Sequence, residues 1–366
     1  MYRVTGSLPL KPRIMRNIRS LIFFVLLAGL YACGEKDLII SPDNPYITYV
    51  GRVDFKNPER PEFMYSGVTI RTIFDGTEAY IILKDDSARN RFRVTVDSTS
   101  HILKTVKGDS VYLLADHLSN NVHFLEVTRI TEWHGGNTTF LGLKIHGRGL
   151  LPVPPHDRKI EFIGNSITCG YGSEGKSHDE HFSYDTENCL KTFAAYTAQD
   201  LKADFIMTCR SGIGMYQSYG GDTAFAMPKL YNEIIAGSQD QWDFSSFVPD
   251  VVVIELGAND LSSHVDSVNY THAYLGFLDK LRGYYPHSKI VCLSGPGGMN
   301  DEKENAHWVN LVRGVVGEAS KTYHEIYYYG LEPIEHNGSD WHPSASEHKK
   351  LSVGLTAYLR DLMNWN

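Results

Sequence analysis

From about Tyr46 to Gly149 apolar residues alternate with polar ones or run β-branched. The clearest stretches are Val68-Thr-Ile-Arg-Thr-Ile-Phe74, Ala79-Tyr-Ile-Ile-Leu83, Arg91-Phe-Arg-Val-Thr-Val96 and Val122-His-Phe-Leu-Glu-Val-Thr128. A period of two puts one side of a pleated strand in a core, so each stretch predicts a strand. Turn signals separate them at Asp75-Gly76, Lys84-Asp-Asp-Ser87 and Lys107-Gly-Asp109. Strands spaced this way without a long helical pattern predict an all-β sandwich or jelly roll over residues 40–150. Leu151-Pro-Val-Pro-Pro155 breaks the pattern and marks a domain boundary.

Residues 156–366 read differently. Lys159-Ile-Glu-Phe-Ile163, Asp204-Phe-Ile-Met-Thr208, Asp250-Val-Val-Val-Ile-Glu255 and Lys289-Ile-Val-Cys-Leu293 are short apolar runs of the kind found in buried strands. Helical patterns lie near Leu190–Leu201, Met227–Ala236, Tyr270–Gly283, Glu304–Thr322 and Ser344–Met363. Strand–helix alternation with apolar strands predicts a three-layer α/β/α domain on a parallel sheet. Functional residues then belong at the carboxyl ends of the strands.

The amino terminus is neither pattern. A basic run from Lys11 to Arg19 precedes the apolar stretch Leu21–Leu30, too short to span a bilayer and ordered as in a secretory leader. Leu30-Tyr31-Ala32-Cys33-Gly34 follows and resembles the lipobox of bacterial lipoproteins, with a bulky Tyr31 as its departure. Residues 1–33 are therefore expected to be a lipoprotein leader, with Cys33 lipidated and the protein exported to the periplasm or cell surface. Four cysteines remain beyond it, Cys169, Cys189, Cys209 and Cys292, and their pairing is open.

Of the 366 residues, 42% are hydrophobic and 21% charged, which excludes a disordered, fibrous or multi-span membrane chain. The net charge is −8, and every one of the five basic residues before Cys33 would leave with the leader. The remainder holds 30 basic against 43 acidic residues, a net −13. Such a chain does not suit nucleic acid, and nothing but a lipid at Cys33 would tie it to a membrane. Twenty-two tyrosines suit stacking on sugar faces.

Four segments carry candidate chemistry. Gly164-Asn165-Ser166-Ile167-Thr168 places a serine just past a strand, with Thr168 where a nucleophile elbow would have its second glycine. Cys209-Arg210-Ser211-Gly212-Ile213-Gly214 offers bare backbone N–H groups, and Gly257-Ala258-Asn259-Asp260 a neutral amide donor. Asp340-Trp341-His342-Pro343 pairs an acid with an imidazole. Taken singly, each has an ordinary structural reading as helix cap, turn glycine, Asx turn or surface histidine.

Taken together, the order Ser, Gly, Asn, Asp-x-His resembles the SGNH (GDSL-type) hydrolases. Within them the chain is similar to carbohydrate esterase family 2, bacterial acetyl esterases of plant polysaccharides. Ile160-Glu-Phe-Ile-Gly-Asn-Ser-Ile-Thr-Cys-Gly-Tyr-Gly172, Gly212-Ile-Gly-Met-Tyr-Gln-Ser-Tyr-Gly-Gly221 and Met227-Pro-Lys-Leu-Tyr231 carry the likeness, with the Asn259 and His342 motifs. That family also sets a jelly roll before its hydrolase domain. The resemblance implies Ser166 as nucleophile, His342 as base and Asp340 as orienting acid, which some members lack. It implies an oxyanion hole of the Ser166 N–H, the Gly212 N–H and the Asn259 side chain, and sugar contacts at Tyr219 and Trp308. Asn165 departs from the superfamily's usual aspartate, and Asp-x-His from its common Asp-x-x-His.

The implied reaction is deacetylation of polysaccharides or their oligosaccharides without a cofactor. Two other readings compete. One is a surface glycan-binding lipoprotein without turnover; the other is a metal-dependent phosphoesterase using Asp260, His264, Asp340 and His342, whose spacing matches no metal motif.

Overall fold

The computed structural model describes residues 36–296 and 302–366. The leader and Cys33 lie outside the described residues. Nine antiparallel strands come first: β1 (Lys36–Ile40), β2 (Thr48–Val50), β3 (Glu62–Phe63), β4 (Thr69–Asp85), β5 (Arg91–Val96), β6 (Thr99–Lys104), β7 (Gly108–Ala115), β8 (Asn121–Arg129) and β9 (Thr138–Leu151). They run in the order β1-β9-β4-β8-β5-β6, with β2 and β7 also on β4 and β3 on β9. The alternation in β4, β5 and β8 turns Phe74, Ile81, Leu83, Val94 and Leu125 into a shared core with Phe140, Leu143 and Ile145 of β9.

Asp75-Gly76, expected as a turn, is instead a bulge inside β4, which runs unbroken for 17 residues. At Gly76 the backbone lies against the backbone of His146 and Gly147, where a side chain has no room. The glycine serves this close approach and not a reversal of the chain. The bulge lets β4 pair with β8 through Thr69–Gly76 and with β7 through Ala79–Asp85.

The second sheet is parallel throughout: β10 (Lys159–Gly164), β11 (Asp204–Cys209), β12 (Val251–Glu255), β13 (Lys289–Ser294) and β14 (Ile326–Gly330), in the order β11-β10-β12-β13-β14. Every residue of β11 and β12 is buried, as apolar strands covered on both faces require. The helices are α1 (Ser166–Cys169), α2 (Phe193–Asp200), α3 (Met227–Leu230), α4 (Ala258–Ser262), α5 (Ser267–Tyr284), α6 (Glu302–Ala319) and α7 (Ala345–Met363). On one face α2 and α7 cover the sheet with Phe193, Ala194, Leu351 and Leu355. On the other α5 and α6 cover it with Tyr274, Phe277, Leu281 and Val312.

Two elements differ from expectation. The helix expected over Met227–Ala236 ends at Leu230. The carbonyls of Tyr231 and Glu233, which would continue it, accept instead from the Arg52 guanidinium of the β domain. The strand β14 was not expected, because its Tyr-rich edge sequence is mostly half-buried and lacks a run of aliphatic residues. Cys169, Cys189, Cys209 and Cys292 are all free and buried.

Candidate active site

In this strand order the chain reverses direction across the sheet between β10 and β12, and open α/β sheets bind ligands in the crevice beyond such a point. Ser166 opens α1 directly after β10. Asn165 caps that helix, its side-chain oxygen accepting the Ile167 N–H at 2.8 Å. Its amide nitrogen donates to Glu255 Oε1 at the end of β12, 3.2 Å away. Burial pushes the Glu255 carboxyl up to about 8, so it is protonated at neutral pH. Thr168 occupies the space a Cβ at Gly164 would need, which requires glycine there and brings α1 close to the strand end.

His342 Nε2 lies 2.8 Å from Ser166 Oγ. Its Nδ1 lies 3.0 Å from the main-chain carbonyl of Asp340, an acceptor only. Nδ1 therefore carries the proton, and Nε2 is the free base facing the hydroxyl. Burial pushes the imidazole below its ordinary range, which keeps it neutral.

The Asp340 carboxylate is not the group that orients the ring, contrary to the expectation from Asp-x-His. Asp340 and Trp341 both have left-handed backbones, with φ of 49° and 60°. This turn aims the carbonyl of Asp340 at Nδ1 and its side chain elsewhere. The carboxylate accepts from His181 Nδ1 at 2.9 Å, the Phe182 N–H at 2.8 Å and Tyr171 Oη at 3.0 Å. Burial would raise it, but these donors hold it below the usual carboxylate range. Tyr171 in turn packs on the His342 ring, with centroids 4.3 Å apart.

Gly212 follows β11 with φ +78°, open on the side where a Cβ would sit apart from Tyr219 at 4.0 Å. Asn259 stands in the first turn of α4 and donates to the Ile213 carbonyl at 2.8 Å. Beside it, the buried Asp260 accepts the N–H groups of Met215, Tyr216 and Gln217 at 2.7, 2.7 and 2.9 Å. Burial lifts its carboxyl to about 6 against the pull of these donors. Asp260 and Asp340, the two carboxylates weighed above as metal ligands, are thus both engaged by hydrogen bonds within the chain. A cavity of about 250 Å³ is lined by Ser166, Asn259, Tyr219, His336, Trp341 and His342.

Residues 49–154 match the family described as Carbohydrate esterase 2 N-terminal, and residues 162–350 the GDSL-like Lipase/Acylhydrolase family. The cellulase/esterase CelE of Acetivibrio thermocellus is 35% identical over 88% of this chain, which spans 40% of CelE's length. An acetylxylan esterase / glucomannan deacetylase of Cellvibrio japonicus is 27% identical over 95% of this chain and its own full length. A solved family two carbohydrate esterase from Clostridium thermocellum, in complex with cellohexaose, is 34% identical with a TM-score of 0.84, covering 87% of this chain and 100% of its own. The chain belongs to carbohydrate esterase family 2.

As a family 2 esterase it presents two rings at the cavity rim. Tyr219 is 75% exposed there. Trp341 is half-exposed and stacks on His178, with centroids 3.8 Å apart. Trp308, expected as a sugar contact, is fully buried. Its indole lies against the backbone at Gly257, where φ is +142° and a Cβ would collide with it. This correction has a physical cause: α6 turns Trp308 into the core beside Tyr270 and Val312. The sequence reading gives Trp341 and Glu255 no part, and Asp260 only that of a metal ligand. An aromatic between Asp340 and His342 was the one available signal.

Proposed function

We propose that Ser166 and His342 hydrolyse acetyl esters on sugar hydroxyls of plant-type polysaccharides or their fragments. The observation that carries this reading is the 2.8 Å contact between Ser166 Oγ and an imidazole whose other nitrogen is anchored. His342 takes the hydroxyl proton as Oγ attacks the ester carbonyl, and the Ser166 N–H, the Gly212 N–H and the Asn259 amide receive the oxyanion. The acyl C–O bond breaks as the imidazolium protonates the departing sugar oxygen, which leaves as a hydroxyl. Water then adds to the acyl-enzyme with His342 again taking its proton; the acyl C–Oγ bond breaks, the imidazolium returns the proton to Ser166 Oγ, and acetate leaves.

The relatives support the substrate class, one being an acetylxylan esterase / glucomannan deacetylase and another having been solved with cellohexaose. Tyr219 and Trp341 supply flat apolar faces for sugar rings outside the cavity. Acetate release from acetylated xylan and glucomannan, with an aryl acetate as control, tests the proposal. Wild type should release acetate and Ser166→Ala should not; polysaccharide binding without release would favour a glycan-binding protein. The leader pattern supports export and a lipid on Cys33, which fatty-acid labelling that Cys33→Ala abolishes would establish.

A further inference from the structure

We propose that Glu132, a residue of the β domain, is a positioning residue for the oxyanion loop of the hydrolase domain. The proposal rests on Gly212 being an oxyanion donor. Gly212 has no side chain, and at φ +78° its N–H direction is set by what holds the residues on either side. Downstream, Asn259 holds the Ile213 carbonyl and Asp260 the N–H groups of Met215, Tyr216 and Gln217, both from α4. Upstream, the anchor crosses from the other domain. Glu132 Oε2 accepts the Ser211 N–H at 2.7 Å, one residue before Gly212.

The carboxylate is itself built in. Glu132 is 1% exposed, just beyond β8. Its N–H donates to Glu187 Oε1 at 3.0 Å, its carbonyl accepts from Arg129 Nη2 at 2.9 Å, and His134 Nδ1 lies 3.5 Å from Oε1. The same domain holds the preceding residue, because Arg210 Nη2 donates to Tyr65 Oη at 2.6 Å while also reaching Glu233 Oε2 at 2.5 Å. The oxyanion loop is thus clamped between two domains, and the β domain contributes to catalysis without touching substrate. A donor displaced by about 1 Å is enough to cost large factors in rate.

Three variants separate reach from charge and from folding. Glu132→Asp keeps the charge but withdraws the acceptor; it should lower kcat on an aryl acetate by about tenfold or more with KM little changed. Glu132→Gln keeps an acceptor oxygen at full length and should restore kcat to within about threefold of wild type. Affinity for a trifluoromethyl ketone, whose hemiketal oxygen occupies the oxyanion hole, should weaken in step with kcat. Active-site titration with an organophosphate corrects each rate for unfolded enzyme. Wild-type kcat in Glu132→Asp, or equal loss in the Asp and Gln variants, would overturn the proposal. A wild-type rate in Asn259→Ala would instead show that the oxyanion hole itself is misassigned.

Discussion

At the scale of single residues, the His342 imidazole is held by the polypeptide itself. The proton on His342 Nδ1 faces a main-chain carbonyl, which no side-chain substitution at position 340 removes. Asp340→Asn should therefore keep kcat within about tenfold of wild type, whereas Ser166→Ala and His342→Ala should each lose ~10⁴-fold. Asparagine also tolerates the left-handed backbone that the position demands. Parallel kcat measurements on an aryl acetate check this; a loss in Asp340→Asn as large as in His342→Ala would make the carboxylate essential. The depressed imidazole has a pH consequence. Its neutral form is the active one, so the acid limb of kcat/KM should have its midpoint below pH 6.5, the ordinary imidazole value. A midpoint above 6.5 in the pH profile would contradict the burial argument. Ser166, Gly212 and Asn259 are legible as candidates because each follows an apolar strand run, and His342 because it closes the motif order that the family shares. The true part of Asp340 is not legible, since residue type does not say whether carboxylate or carbonyl meets the ring. Glu132, Glu255 and Asp260 act on partners far along the chain, at separations of 79, 90 and 45 residues, and no local pattern shows such contacts.

At the scale of elements, the helix that Ser166 opens is four residues long and has no stability of its own. It exists because Asn165 caps it, Gly164 admits Thr168, and a protonated Glu255 accepts from the cap. The buried acid couples the fold to pH. Its folded value of about 8 stands above the ordinary 4.5, so between these pH values the folded state holds a proton the unfolded state has lost. Stability from this group is complete below about 4.5 and declines as pH rises through 8. Glu255→Gln keeps an acceptor for Asn165 and cannot ionise; its Tm should fall less between pH 5 and 8 than that of wild type. Thermal melts at the two pH values decide it, and an identical fall in both proteins would remove Glu255 as the cause. Four of the five parallel strands and the long helices are legible because apolar runs and helical periods differ plainly, whereas the Tyr-rich β14 is not. The bulge in β4 is not, since Asp-Gly signals a turn unless one knows that Gly147 lies across from it.

At the scale of the whole molecule, the two sheets are joined by buried cations from the β domain. Arg52, 1% exposed, reaches Glu161 on β10 at 3.4 Å and the Glu233 carbonyl at 2.9 Å. Arg91 donates to the carbonyls of Tyr184, Asp185 and Glu187 at 2.9, 2.8 and 3.1 Å. Removing Arg52 leaves Glu161 buried without its counter-charge. Arg52→Ala should then cost about 3–5 kcal/mol, read by denaturant unfolding of the full chain, and a loss under about 1 kcal/mol would show that Tyr231 and Thr208 satisfy Glu161 alone. The free cysteines give this architecture a clock. All four lie sealed in the hydrolase domain, where burial pushes Cys169 and Cys189 well above the ordinary thiol range and Cys292 up to about 12. Alkylating reagents attack thiolates, so the closed molecule should be silent to iodoacetamide in a Cys33→Ser background. Each labelling event then records an opening of the fold, and dithiothreitol should change neither activity nor melting. If the sheets part and unfold as one, all four sulfurs will be alkylated at a single rate.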